Sequence, residues 1–201
     1  MRPYLNIHTH TPVREDEQTL PALGLHPWHL TEEWPAALAR MERTLDEQGG
    51  LSLASPIVFI GECGLDRLCD TPYTLQLAAF EAQIQLSERH GIPLVLHCVR
   101  ALDDVLHLKR GTQQPWIYHG FRGKPQLLRQ LLDHDFYISF GFRHNADSLR
   151  ACPFDRFFLE TDDVPQPIAP LYAEVADLLG TTPEALNQQL WTNASNLFQQ
   201  P

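Results

Sequence analysis

The feature that most constrains this chain is the alternation of short apolar runs with helical patterns along its 201 residues. Seven apolar runs predict strands, and most lack polar alternation, as expected for parallel strands covered on both faces. They are Tyr4–Ile7, Ala22–Leu25, Ile57–Ile60, Leu94–Leu96, Trp116–Tyr118, Phe136–Phe140 and Phe157–Leu159. Helical patterns with Pro or Gly at their ends fall between most of these runs. The alternation predicts an α/β fold with a parallel sheet, and both a closed barrel and an open doubly wound sheet satisfy it.

Composition limits the partners of the chain. The length suits one domain spanning residues 1–201. Fifteen Lys and Arg against 25 Asp and Glu give a net charge of −10. This balance excludes a broad basic surface that grips duplex nucleic acid by phosphate neutralisation alone. It leaves room for an acidic pocket that becomes cationic when divalent metals bind.

Several sequence features bear on the compartment. No apolar run approaches the length that crosses a bilayer, and the first six residues lack the apolar segment of a secretion signal. The four cysteines show no Cys-x-x-Cys pairing, so we expect reduced thiols. We therefore expect a cytoplasmic protein without membrane contact.

Six of the seven predicted strands are followed within two residues by a histidine or an acidic residue. In barrel enzymes the active site is built at the C-terminal ends of the strands. Histidines with carboxylates are typical ligands of divalent transition metals, and a carboxylate can bridge two ions. The candidate ligands are His8, His10, Glu62, His97, His119 and Asp162, and His26 follows the second run. His8 and His10 are two residues apart, so in an extended segment both face the same side.

Other catalytic motifs are absent from the sequence. There is no Gly-x-Ser-x-Gly elbow and no Gly-rich phosphate loop. Cys98 adjoins His97, but neighbours on a strand point to opposite faces, so we interpret Cys98 as a packed thiol without a catalytic role.

Six motifs in order resemble the TatD-type metal-dependent deoxyribonucleases, within the amidohydrolase-like hydrolases. The resemblance covers nearly the whole chain. The matching stretches are Ile7-His8-Thr9-His10, Gly24-Leu25-His26-Pro27-Trp28, Gly61-Glu62-Cys63-Gly64-Leu65-Asp66, Pro93–Cys98, His119-Gly120-Phe121-Arg122-Gly123 and Leu159-Glu160-Thr161-Asp162.

The resemblance implies a TIM-like (β/α) barrel with two divalent ions, Mg²⁺, Mn²⁺ or Zn²⁺. Carried over by position, one ion is held by His8, His10, Glu62 and Asp162, and the other by Glu62, His97 and His119. Glu62 then bridges the ions, and Asp162 is also a candidate base for the attacking water. Glu160 and Asp66 are candidate supports for ligand histidines, and Asp66 equally suits a structural role. His26 suits either a substrate phosphate contact or a role in shaping the loop before Pro27.

Two departures from the family pattern stand out. Asn6 occupies the place of an aspartate before the first His-x-His. Only 15 residues separate His10 from His26, too few for the usual helix–strand–helix passage. We therefore expect a barrel shortened near the N-terminus, with seven strands or with closure by the Thr11–Leu20 segment.

The implied substrate carries phosphate. Arg100 and Arg122 each follow a ligand histidine by three residues, and either could hold phosphate or form a surface ion pair. Tyr4, Trp28 and Phe121 are candidates for stacking on bases. The principal hypothesis is a deoxyribonuclease that acts on single-stranded DNA or DNA ends. The alternatives are a small-molecule phosphatase or other ester or amide hydrolase, and a binding protein with a relict site. The sequence does not determine the oligomeric state.

Overall fold

The computed structural model describes residues 2–11, 14–49 and 51–198. These residues form two compact units. The central unit is Pro21–Tyr118, and the terminal unit combines the residues before Pro21 with those from His119 onward. The expectation of a single domain stays a prediction.

Strands and helices alternate along most of the chain. The strands are β1 (Tyr4–Asn6), β2 (Glu17–Thr19), β3 (Ala22–Leu23), β4 (Phe59–Asp66), β5 (Leu94–Val99), β6 (Trp116–Tyr118), β7 (Phe136–Phe140) and β8 (Phe157–Leu159). The helices are α1 (Trp34–Gln48), α2 (Tyr73–His90), α3 (Leu102–Lys109), α4 (Pro125–Leu132), α5 (Ala146–Ala151), α6 (Ala169–Leu179) and α7 (Pro183–Asn196). A single turn of 3₁₀ helix, Pro27–His29, follows β3. None of these helices is both long enough and apolar enough to span a bilayer.

The central unit is a parallel sheet with the strand order β3-β4-β5-β6. Helix α2 packs on β4, and α1 packs on α2. All eight residues of β4 are buried, as expected for a strand covered on both faces. The ring of Phe80 on α2 meets Trp116 on β6 edge-on, with their centroids 5.4 Å apart.

In the terminal unit β1 lies between β2 and β8. It pairs with β2 in parallel, and the N–H of Ile7 donates to the carbonyl oxygen of Leu159 at 3.0 Å. Strand β8 pairs in parallel with β7. Helix α7 holds this sheet from one side, because Asn187 accepts from the N–H of Leu5 and Asn193 donates to the carbonyl oxygen of Phe157.

Each of the seven predicted apolar runs overlaps a strand, and β4 and β5 extend beyond the ends of their runs. An eighth strand, β2, consists of Glu17, Gln18 and Thr19, so no apolar run could mark it. Helix α5 was also not predicted; it has only six residues and begins where the Asn145 side chain accepts from the N–H of Ser148.

The shortening near the N-terminus is visible in the elements themselves. Among the described residues, only β2, β3 and one 3₁₀ turn lie between β1 and the first α-helix, which begins at Trp34. The passage between His10 and His26 is therefore reduced, as expected. Strand β2 lies within the Thr11–Leu20 segment, of which residues 12 and 13 are outside the described ranges.

Candidate metal centre

A β-bulge in the central unit determines where Glu62 lies. The pairing of β4 with β5 runs from Ile60 opposite Leu94 to Cys63 opposite Leu96, so β4 carries one extra residue between these pairs. Bulges of this kind turn a side chain away from the regular pleat. Glu62 lies in this bulge. The apolar runs predicted that Glu62 and His97 follow the ends of their strands, but both residues lie within longer strands, β4 and β5.

Glu62 and two histidines form the central cluster. One oxygen of the Glu62 carboxylate, Oε1, lies 2.6 Å from His97 Nδ1 and 3.2 Å from His26 Nε2. His97 and Glu62 are buried, while His26 is partly exposed. The opposite nitrogen of His97, Nε2, lies 3.2 Å from Asp66 Oδ2. The carboxylate of Asp66 therefore fixes the orientation of the His97 ring.

The Asp66 carboxylate is itself held by two donors. The indole Nε1–H of Trp28 donates to Oδ2 and the backbone N–H of Leu68 donates to Oδ1, both at 2.7 Å. Burial alone would raise the pKa of Asp66, but hydrogen bonds from Trp28, Leu68 and His97 outweigh it and lower the pKa below its usual value. Asp66 is thus an ionised acceptor, which supports the expected role beside a ligand histidine.

In the terminal unit, backbone pairing brings Asp162 beside the His-x-His segment. Thr9 and Asp162 form a parallel bridge, in which His10 N–H donates to the Asp162 carbonyl and Asp162 N–H donates to that of His8. Asp162 Oδ1 lies 3.7 Å from His10 Nε2 and 4.0 Å from His8 Nε2. Asp162 has a φ of 53°, a left-handed conformation that Asp tolerates better than most residues.

His119 and Glu160 extend this terminal cluster. The rings of His8 and His119 lie 4.9 Å apart, and His119 Nδ1 is 3.5 Å from Glu160 Oε1. Glu160 is fully buried and accepts from Ser139 Oγ and from the N–H of Gly120, each at 2.6 Å. Burial opposes its ionisation, but His119, His8 and Ser139 together lower the pKa of Glu160. This geometry supports Glu160 as an orienting partner of His119.

Both clusters have the donor chemistry of a divalent metal site. In each of three groups of side chains, one ligand atom from every member lies within 4.8 Å of the others. The groups are His8 with His10 and Asp162, His119 with Glu160 and Asp162, and His26 with Glu62 and His97. Imidazole and carboxylate together suit Zn²⁺, Mn²⁺ or Fe²⁺, while Mg²⁺ prefers oxygen ligands. Glu160 and His26 stand in these groups, although the sequence suggested neither as a ligand.

The two candidate phosphate-binding arginines have different surroundings. Arg100 directly follows β5, is exposed, and has a φ of 52°. Arg122 lines a small cavity in the terminal unit together with Glu160 and Asp162. Arg143 lines the same cavity; sequence reasoning missed it because no strand-end or motif position marks it.

The remaining candidates separate by burial. Phe121 is 1% exposed and Tyr4 packs on Tyr172, whereas Trp28 is 56% exposed, so only Trp28 suits stacking on a ligand. Burial raises the pKa of the Cys98 thiol, which agrees with a packed cysteine without catalytic function. All four cysteines are free thiols.

Comparison with known proteins gives a consistent family. The family model described as "TatD related DNase" matches residues 6–199. The chain is 28% identical to the "Uncharacterized metal-dependent hydrolase YjjV" of Escherichia coli, covering 90% of this chain and 76% of that protein. It is 31% identical to the "3'-5' ssDNA/RNA exonuclease TatD" of Erwinia billingiae, covering 89% and 77%.

A solved structure supports the fold. The crystal structure of YjjV, a TatD homolog from E. coli, superposes with a TM-score of 0.75 at 25% identity, covering 91% of this chain and 78% of that one. The expected α/β fold of the TIM-barrel type is therefore confirmed.

Proposed function

Because the chain belongs to the TatD family and is a metal-dependent hydrolase, we propose that it is a nuclease that removes nucleotides from the ends of single-stranded DNA. The exonuclease named among its relatives supports this substrate class. The observation that carries the proposal is the pair of His–carboxylate clusters, at the positions that the TatD motifs assign to metal ligands.

The donor set fits divalent ions in both clusters. We assign one ion to His8, His10 and Asp162, and another to Glu62 and His97. The resemblance adds Glu62 to the first ion and His119 to the second; these two assignments, the number of ions and their identity stay predictions. When bound, such ions lower the pKa of a coordinated water and offset charge on the phosphate.

The protein side chains then orient the attacking water and the phosphate. Asp162 is the proposed base, because its carboxylate lies beside two ligand histidines and is partly open to solvent. It accepts the proton of the water whose oxygen forms the new bond to phosphorus, while the ester oxygen departs with its electron pair. Glu160 and Asp66 orient His119 and His97 through one ring nitrogen each, which leaves the other nitrogen for the reacting side.

His26, Arg100 and Arg122 are the proposed substrate-binding residues. His26 Nε2 faces the same Glu62 oxygen as His97, so His26 lies where a phosphate oxygen would approach the central cluster. The arginines supply positive charge to a chain whose net charge is −10. A bidentate guanidinium suits a terminal phosphate or a phosphodiester.

The test uses an end-labelled single-stranded DNA oligonucleotide with Mn²⁺ or Mg²⁺. The native protein should shorten it from one end, a chelator should abolish cleavage, and Glu62→Ala should reduce the rate by about 10³-fold or more. His134→Ala is the matched control, because His134 is a partly exposed histidine just after α4 whose ring Nδ1 lies 2.9 Å from the Gln130 carbonyl oxygen, and it belongs to neither cluster. Equal cleavage by native and Glu62→Ala proteins would refute the assignment. Hydrolysis of small phosphoesters without cleavage of DNA would favour the phosphatase alternative.

A further inference from the structure

Two of the most exposed large apolar side chains flank a single buried carboxylate in the central unit. Trp28 is 56% exposed and Leu68 is 61% exposed. Both belong to residues whose N–H groups bind Asp66, Trp28 through its indole and Leu68 through its backbone. The same carboxylate contacts His97. Both residues are therefore anchored by one hydrogen bond, Trp28 through its ring and Leu68 through its backbone, to a group that orients a proposed metal ligand.

The position of the Trp28 indole is well defined. Pro27 begins the 3₁₀ turn, and the N–H of Trp28 donates to His26 Nδ1 at 3.1 Å. The indole ring lies 5.0 Å from the His26 ring and 5.7 Å from the His97 ring, at angles of 84° and 79°. Neither imidazole is stacked on the indole, and more than half of the side chain faces solvent.

We propose that Trp28 and Leu68 form a platform that binds a nucleobase of the substrate, next to the phosphate held at the His26–Glu62–His97 cluster. The inference rests on the proposed nuclease function for the nature of its ligand. A base that stacks on an indole gains affinity without cations, which suits a chain with few basic residues. Stacking also requires an unpaired base, so the platform selects single-stranded ends over duplex.

The indole has a second, separable role. Its Nε1–H donates to Asp66, and Asp66 orients His97. Trp28 is therefore a positioning residue through its N–H and a binding residue through its ring. Trp28→Phe keeps an aromatic ring and removes the N–H, whereas Trp28→Ala removes both.

The first test measures binding with the metal-loaded full chain. The probes are two fluorescent, hydrolysis-resistant phosphorothioate oligonucleotides, one with all its bases and one whose terminal nucleotides at both ends lack bases. The native protein should bind the first at least about five-fold more tightly, a lower limit for one stacked base. Trp28→Ala should remove this preference, Trp28→Phe should keep most of it, and Leu68→Ala should reduce it.

Phe154→Ala is the matched control, because Phe154 is also a large exposed apolar residue, at 41%, but belongs to the terminal unit. It should keep the native preference. Equal binding of both oligonucleotides by the native protein would overturn the proposal. So would a Trp28→Ala protein that keeps the native preference.

A second test separates the two roles on a cleavable oligonucleotide. Trp28→Phe should lower kcat with little change in KM, since only the hydrogen bond to Asp66 is lost; a native kcat would refute the positioning role. Because binding is measured on resistant probes, a base preference that depends on Trp28 supports the platform even if the native protein cleaves no DNA. Absence of cleavage would then count against the nuclease proposal alone.

Discussion

At the scale of single residues, the surroundings of Asn6 account for the departure from the family's aspartate. Asn6 is fully buried, and its Nδ2 donates to Glu17 Oε2 at 3.3 Å and to Thr161 Oγ1 at 2.9 Å. Its Oδ1 accepts from the N–H of Thr161. An aspartate here would bring a second carboxylate against Glu17, which is itself buried and accepts from the N–H of Ile168. The Asn6 amide therefore suits this position, because its N–H group donates a hydrogen bond to the Glu17 carboxylate of β2.

Arg100 combines an unfavourable backbone conformation with a candidate role in binding. Its φ of 52° costs a non-glycine residue on the order of 1 kcal/mol. We expect Arg100→Gly to raise the free energy of unfolding by up to about 1 kcal/mol, because glycine adopts this conformation freely. We expect the same variant to raise KM for a phosphate-bearing oligonucleotide by about ten-fold, because a charge-assisted hydrogen bond is lost.

Urea unfolding and steady-state kinetics check the two effects separately. Arg100→Lys is the control, since it keeps the charge and the strain but loses the planar fork. An unchanged KM in Arg100→Gly would show that Arg100 does not bind the substrate and would leave it the alternative role of a surface ion pair.

At the scale of elements, the close approach of β4 and β5 determines the geometry of the central cluster. A Cβ on Gly64 would overlap the carbonyl oxygen of His97, and Gly64 also has a φ of 143°. A Cβ on Gly61 would lie 2.7 Å from the Val95 carbonyl oxygen. These glycines resemble strand breakers in the sequence, yet they allow β4 to continue to Asp66.

We expect Gly64→Ala to lower the free energy of unfolding by about 3 kcal/mol or more, because β4 and β5 must separate to admit the methyl group. The displacement also moves His97, so metal affinity should fall with stability. Chemical unfolding and metal titration provide the measurements. Gly141→Ala is the control: its Cβ would meet the Glu160 carbonyl oxygen at 3.5 Å, an ordinary contact, and stability should stay within about 1 kcal/mol of native. Native-like stability of Gly64→Ala would contradict this account of the strand pair.

The same strands show what could be predicted from the sequence. Periodicity and Pro or Gly signals predicted the type and order of most elements, because buried parallel strands are continuous apolar runs. The TatD motifs placed the candidate ligands near strand ends. The bulge at Glu62, the polar strand β2 and the short helix α5 were not predictable, because tertiary pairing produces them and local apolar patterns do not.

At the scale of the whole molecule, metal binding should couple to stability. Ions that bind only the folded chain stabilise it by about 2.7 kcal/mol at a hundred-fold excess over Kd. For a chain of this size that energy corresponds to a rise in Tm of about 5–10 °C. A chelator should therefore lower Tm by this amount, and Mn²⁺ or Zn²⁺ should restore it. Differential scanning calorimetry on the native and His134→Ala proteins should give equal shifts, and Glu62→Ala a smaller one. A Tm that does not change when the chelator is added would argue against bound metal ions in the native protein.

The charge balance of the chain makes the salt dependence of DNA binding a further test. With 15 basic against 25 acidic residues, we expect few basic side chains to displace counterions from the phosphates of DNA. If Arg100 and Arg122 are the only Arg or Lys residues that contact phosphates, the logarithm of the binding constant should fall with the logarithm of salt concentration with a slope of about −1.4. Fluorescence anisotropy with the resistant oligonucleotide, at fixed metal concentration, measures this slope. Arg100→Ala and Arg122→Ala should each make the slope shallower by about 0.7. Trp28→Ala should lower the binding constant and leave the slope unchanged. A slope steeper than about −4 would show that many basic side chains contact the DNA. It would contradict the proposal of a small binding site with two arginines and an aromatic platform.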